Sequence, residues 1–109
     1  MTTVLLRKTK DGGYAGFTCT GHAGYADSGF DIVCSAVSVL VINTINSMDL
    51  FAKEEMEVIT GEEDGVIDVT FVNPVSEKTK LLMDTMALGL ESIEKQYGKK
   101  YLRLKFEEV

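Results

Sequence analysis

The stretch from Asp31 to Ala52 constrains the fold of this 109-residue chain more than any other. It is rich in valine and isoleucine, which favour strands. Its length decides the other way, because strands rarely exceed about ten residues. It reads as a helix, apolar around much of its circumference, with Ser35, Ser38 and Ser47 scattered along it. A helix apolar on most sides must be covered on most sides. Either one subunit buries it completely, or a second copy of the chain supplies the remaining cover.

The other elements follow from turn signals and periodicity. Val4 to Thr9 and Tyr14 to Thr20 flank Asp11-Gly12-Gly13, a hairpin turn between two strands. On the second of these strands Ala15, Phe17 and Cys19 share one face, which points Cys19 into the core. Met56 to Thr60 and Val66 to Val72 flank Glu62-Glu63-Asp64-Gly65 as a second hairpin, where Ile67, Val69 and Phe71 alternate with Asp68 and Thr70. Tyr101 to Phe106 alternates most cleanly, with Leu102, Leu104 and Phe106 on one side and Arg103 and Lys105 on the other. Ser76 is a good N-cap after Pro74, with Glu77 in the first turn. Leu82, Met86, Leu90, Ile93 and Tyr97 form an apolar helical stripe that Gly98 ends. The predicted class is α+β, two-layered and ordered ββαββαβ: a mostly antiparallel sheet of about five strands with two helices on one face. The chain reads as a single domain over residues 1–109, without repeats or linkers.

Composition excludes some function classes. An apolar fraction of 45% and one proline suit a folded domain. A net charge of −6 excludes a direct nucleic-acid binder, which needs a basic face. It suits a basic protein or peptide partner, although solubility alone accounts for much of it. The most apolar run, Ile32 to Ile42, is interrupted by serines and ends at Asn43, short of the roughly 18 residues of a membrane span. The start, Met1 to Arg7, lacks the basic and long apolar regions of a secretory signal. These features predict a cytoplasmic protein with no membrane partner and two reduced thiols, a Cys19–Cys34 disulfide being the lesser expectation.

Gly21-His22-Ala23-Gly24 contains the only histidine, twelve positions before Cys34. A thiol needs a base to act as a nucleophile near neutral pH, and imidazole is the side chain best suited to that task. Spacing alone favours a structural histidine and an inert buried cysteine. The wider motif changes the balance. Gly-His-Ala-Gly-Tyr-Ala, followed by Ser-Gly-Phe-Asp-Ile-Val-Cys-Ser-Ala-Val-Ser-Val-Leu, resembles the signature of the ribosomal-processing cysteine protease family, Prp. The resemblance is specific between Gly21 and about Asn46, and elsewhere it extends to length and element order. Where the family usually has Cys-Ala-Ala, this chain has Cys34-Ser35-Ala36, a small-for-small exchange. The resemblance implies an endopeptidase that removes the N-terminal extension of a large-subunit ribosomal protein after a Phe-Phe pair. It further implies His22 and Cys34 as the catalytic pair and a homodimer.

With Asp31 as N-cap, Cys34 would fall at about the third helical position, where exposed amides and the helix dipole favour a thiolate. His22 would take the thiol proton and later return it to the leaving amine. Asp31 has two competing tasks, capping the helix or orienting the His22 ring. An oxyanion hole would draw on amides at the helix start, that of Cys34 included. The loop from Gly21 to Phe30, with Gly24, Tyr25 and Gly29, would form a substrate loop. Its Tyr25 and Phe30 suit an apolar peptide, unless Phe30 plugs the core beneath. Ser38 is a candidate for lining the site. No cofactor or metal is expected; His22, Cys19, Cys34 and Asp31 lack the paired spacing of zinc motifs. Two rival functions stand beside the protease. One is a non-enzymatic module that binds or assembles ribosomal protein. The other is a thiol redox sensor with Cys34 reactive and Cys19 resolving.

Overall fold

The computed structural model describes residues 2–21, 28–61 and 65–109, and for 28–31 the backbone alone. The elements come in the predicted order: β1 (Thr2–Lys8), β2 (Tyr14–Thr20), α1 (Ser28–Leu50), β3 (Met56–Gly61), β4 (Val66–Phe71), α2 (Glu77–Tyr97) and β5 (Leu102–Glu108). The strands form one sheet in the order β3-β4-β2-β1-β5. All neighbours are antiparallel except β1 and β5, which α2 connects to the sheet in parallel.

Period-two alternation gives the sheet its two faces. On one, Cys19 lies between Val4 and Ile67, and Phe17 between Leu6 and Val69. These six residues are buried in the core with Val33, Val37, Val41 and Met48 of α1 and Met83, Met86 and Leu90 of α2. The opposite face is polar. There the Arg7 guanidinium donates to Thr18 Oγ1 at 2.6 Å, to the Val69 carbonyl at 2.8 Å and to Asp68 Oδ1 at 3.3 Å. This cluster stitches β1, β2 and β4 across the β1 bulge at Arg7/Lys8. It depends on Gly16, because a Cβ there would stand 2.1 Å from the Val69 oxygen and 2.7 Å from the guanidinium.

The start of α2 is tied to the connection after α1. Ser76 Oγ accepts the Thr79 amide at 3.2 Å, and the Glu54 carboxylate accepts the Thr79 hydroxyl at 2.7 Å. Gly98 ends the helix at φ 99°, a conformation open to glycine. The buried stripe of α2 is shifted from the predicted one. Thr79, Met83, Met86, Ala87 and Leu90 are buried, whereas Leu82, Ile93 and Tyr97 flank the core. The cause is that α2 packs on the sheet and on α1 together. The two helices approach closely enough that a Cβ on Gly89 would lie 2.7 Å from Leu40 Cδ2. Phe106, which alternation puts on the same side as Leu102 and Leu104, stands exposed near the end of edge strand β5.

The extent of α1 also corrects the sequence reading. It begins at Ser28, not after Asp31, and ends at Leu50. Ser-Gly looks like loop in isolation, yet helix length is set by burial of the apolar face downstream more than by propensity at the first turn. Counted across its serines and asparagines, Ile32–Leu50 is long and apolar enough to cross a membrane, unlike the shorter run judged from sequence. In this fold one side of that helix, with Val33, Val37, Val41 and Met48, is part of the core.

Candidate active site

The site is built where β2 leaves the sheet and α1 begins. Gly21 ends the strand at φ 79°, a left-handed conformation that a residue with a Cβ rarely adopts. Two residues earlier, Cys19 is 1% exposed in the core. On α1, Cys34 is buried with Val33 and Val37 and is 9% exposed. Ser35, the next residue, is turned to solvent. Ser38 follows Cys34 by one helical turn and is half-buried, so it borders the same surface.

The two cysteines are thiols, not a disulfide. Burial, and secondarily the nearby Cys34 sulfur, push the Cys19 thiol up to about 11. Cys19 is therefore protonated near neutral pH and a poor nucleophile. Cys34 is the less deeply buried of the two, 9% exposed against 1%.

Because α1 starts at Ser28, Asp31 lies inside the first turn, and the capping position expected of it is further upstream. Cys34 falls in the second turn, not at the third position. The helix dipole acts mainly within the first turn, which lies upstream of Cys34. The amides without an intrahelical partner are those of the first turn. The Cys34 amide is committed to the helix and is not available for an oxyanion hole in this arrangement. Gly29 and Phe30, read from sequence as part of a loop, belong to α1. His22, Gly24 and Tyr25 lie outside the described residues, as do the side chains of Phe30 and Asp31. Among the described residues, no cluster of three or more histidine, cysteine or acidic side chains is placed to hold a metal ion.

Two helices on one face of a mixed sheet, with a cysteine on the sheet-facing side of the first, define a small α+β protein equipped for thiol chemistry. The family model of the cysteine protease Prp matches residues 1–102. The chain belongs to this family of ribosomal-processing proteases and is a cysteine protease. The ribosomal processing cysteine protease Prp of Bacillus subtilis (strain 168) is 32% identical over 101 residues, covering 89% of this chain and 90% of that protein. The fold matches the crystal structure of the essential ribosomal processing protease Prp from S. aureus in complex with a substrate peptide. The TM-score is 0.91 at 23% identity, with 98% of this chain and 100% of that one covered. SMU.848 from Streptococcus mutans matches with a TM-score of 0.90 at 27% identity, covering 100% and 99%.

The contrast between the thiols sets an expected order of labelling. Iodoacetamide at pH 7 should alkylate Cys34 of the native protein well before Cys19, as peptide mapping would show. Equal rates, or prior labelling of Cys19, would contradict the assignment of Cys34 as the reactive sulfur.

Proposed function

We propose that this protein removes the N-terminal extension of a large-subunit ribosomal protein by cutting after a Phe-Phe pair, with Cys34 as nucleophile and His22 as general base. The observation that carries the reading is the position of Cys34. It lies on the inner side of α1 at the end of the sheet, within a chain that belongs to a ribosomal-processing protease family. A relative of the same fold has been crystallised with a substrate peptide, which supports a peptide ligand here as well.

In the proposed mechanism His22 takes the Cys34 proton, and the sulfur attacks the carbonyl carbon of the second phenylalanine. The C–N bond breaks, and the proton passes from His22 to the departing amine. The leader remains on Cys34 as a thioester until water, activated by the same imidazole, releases it. With the dipole contribution reduced by the register of α1, thiol activation falls mainly to this base. Asp31, inside the first turn of α1, is proposed to orient the His22 ring. Gly21, Gly24 and Tyr25 would serve the substrate between β2 and α1, and the net charge of −6 suits the basic body of a ribosomal protein. The proposed site of action is the cytoplasm, where a ribosomal-protein substrate is made and thiols stay reduced.

The same reading includes a homodimer. The outer side of α1 is uncovered at Ile32, Val39 and Ile42, and apolar exposure continues through Leu50 and Phe51; Val39 is 70% exposed, Leu50 68% and Phe51 65%. A two-fold contact is the simplest way to cover such a surface.

His22→Ala should lower kcat for a peptide spanning the Phe-Phe junction by about 10²-fold or more while leaving the melting temperature nearly unchanged. Cleavage at a comparable rate would remove His22 from the mechanism, and loss of the fold would make it structural. Sedimentation at micromolar concentration should give about twice the 12.0 kDa chain mass. A monomer there would refute the dimer and leave the protease assignment standing.

A further inference from the structure

The two edges of the sheet are unlike. On β5 the Leu104 amide donates to Glu94 Oε2 at 2.8 Å, and the strand follows Lys99-Lys100 and carries Arg103 and Lys105. β3 is the opposite edge. The Val72 amide donates to the Glu55 carbonyl at 3.1 Å, directly across the β3–β4 ladder. Alternation from that pair places the backbone groups of Glu57 and Ile59 toward β4 and those of Met56, Val58 and Thr60 outward. Among the described residues nothing pairs with these three. Val58 is 43% exposed and Ile59 62%. A bare apolar edge of this kind invites another strand, and proteins usually block it.

We propose that β3 is a docking edge for the substrate, where an extended basic segment on the C-terminal side of the cleaved bond adds as an antiparallel strand. The proposal rests on the reading of this chain as a protease acting where β2 ends and α1 begins. Register ties the edge to that place. Thr60, Ile67 and Cys19 lie in one row across β3, β4 and β2. The Thr60 end of β3 is therefore two strand spacings, about 10 Å, from Cys19, at the same end of the sheet as Gly21. About three extended residues span that gap. β3 runs toward this end, so a chain that leaves the site along it lies antiparallel, the slightly more stable pairing. A leader entering the site by the same edge would lie parallel.

Charge selects the occupant. The sequence from Glu54 to Asp64 contains Glu54, Glu55, Glu57, Glu62, Glu63 and Asp64 and no cation. It attracts a basic strand, and it opposes a second copy of this chain pairing edge to edge, because like charges would then face each other. The cations on and before β5 give that edge the contrary preference, and Glu94 already occupies one of its amides. On β3 the outward backbone groups of Val58 and Thr60 would supply affinity by main-chain hydrogen bonds. Val58 and Ile59, on opposite faces of the strand, would offer apolar contact to alternate side chains of the added segment.

The test compares peptides on the full chain. A short peptide ends about three residues after the Phe-Phe junction, and a long one adds about seven more in which lysine alternates with valine. A third replaces those lysines with glutamate. The lysine extension should lower KM about tenfold at unchanged kcat, and the glutamate extension should not. N-methylation of one alternate set of amides in the lysine extension should abolish the gain, and methylation of the other set should preserve it. Val58→Pro removes an outward amide, the kind an edge strand can lose, and should erase the difference between long and short peptides. If that variant fails to fold, the methylated peptides decide on the parent chain. A lysine peptide no better than the short one, or a gain that survives methylation of either set, would overturn the proposal. If no peptide is cleaved, the protease reading falls, and fluorescence anisotropy of the labelled lysine extension alone decides. Binding abolished by one methylated set would uphold the docking edge, and no binding would refute it.

Discussion

The packing of α1 against the sheet is the interaction on which the rest of the molecule depends. Val33, Val37, Val41 and Met48 descend onto a surface made by Val4, Leu6, Phe17 and Val69, all of them fully buried. Each such side chain contributes about 1.5–3 kcal/mol on burial, so this contact fixes the rotation of the helix about its axis. That rotation carries consequences in both directions. It turns Cys34 inward and leaves Val39, Ile42 and Leu50 outward. The location of the thiol and the bare apolar surface are thus two results of one packing decision.

In the proposed mechanism the register of α1 bears on how the thiol is activated. Had the helix begun just after Asp31, the dipole and the free amides would have shared the work with the histidine. Beginning at Ser28, it spends its unpaired amides a full turn before Cys34. In the proposed mechanism the base then matters more, which agrees with placing the single histidine directly after the left-handed Gly21. Burial meanwhile keeps Cys19 protonated near neutral pH.

Much of the fold was legible because its signals are local. The Asp11-Gly12-Gly13 turn, the alternation through Ile67, Val69 and Phe71, and the Ser76 and Gly98 caps each reflect chemistry within a few residues. The length of the valine-rich stretch outweighed its strand propensity, and the segment is helical as argued. Three features were not legible. The start of α1 depends on burial many residues downstream, so Ser28-Gly29-Phe30 read as loop. The buried stripe of α2 leans toward Met83 and Ala87 because α1 touches the same helix, which a single-helix pattern cannot register. The parallel pairing of β5 with β1 is a long-range choice of topology. As for the site, the motif singled out His22 and Cys34 and strand alternation pointed Cys19 into the core, whereas the burial of Cys34 on α1 is a product of packing.

The claim that matters most is that Cys34 carries the substrate covalently during cleavage. Reaction of the reduced protein with a peptide spanning a Phe-Phe junction, quenched in acid during turnover and mapped by mass spectrometry, tests it directly. The account predicts the leader portion attached through a thioester to the peptide containing Cys34, and none on Cys19. Turnover with no acyl group on Cys34, or with the adduct on another residue, would contradict it.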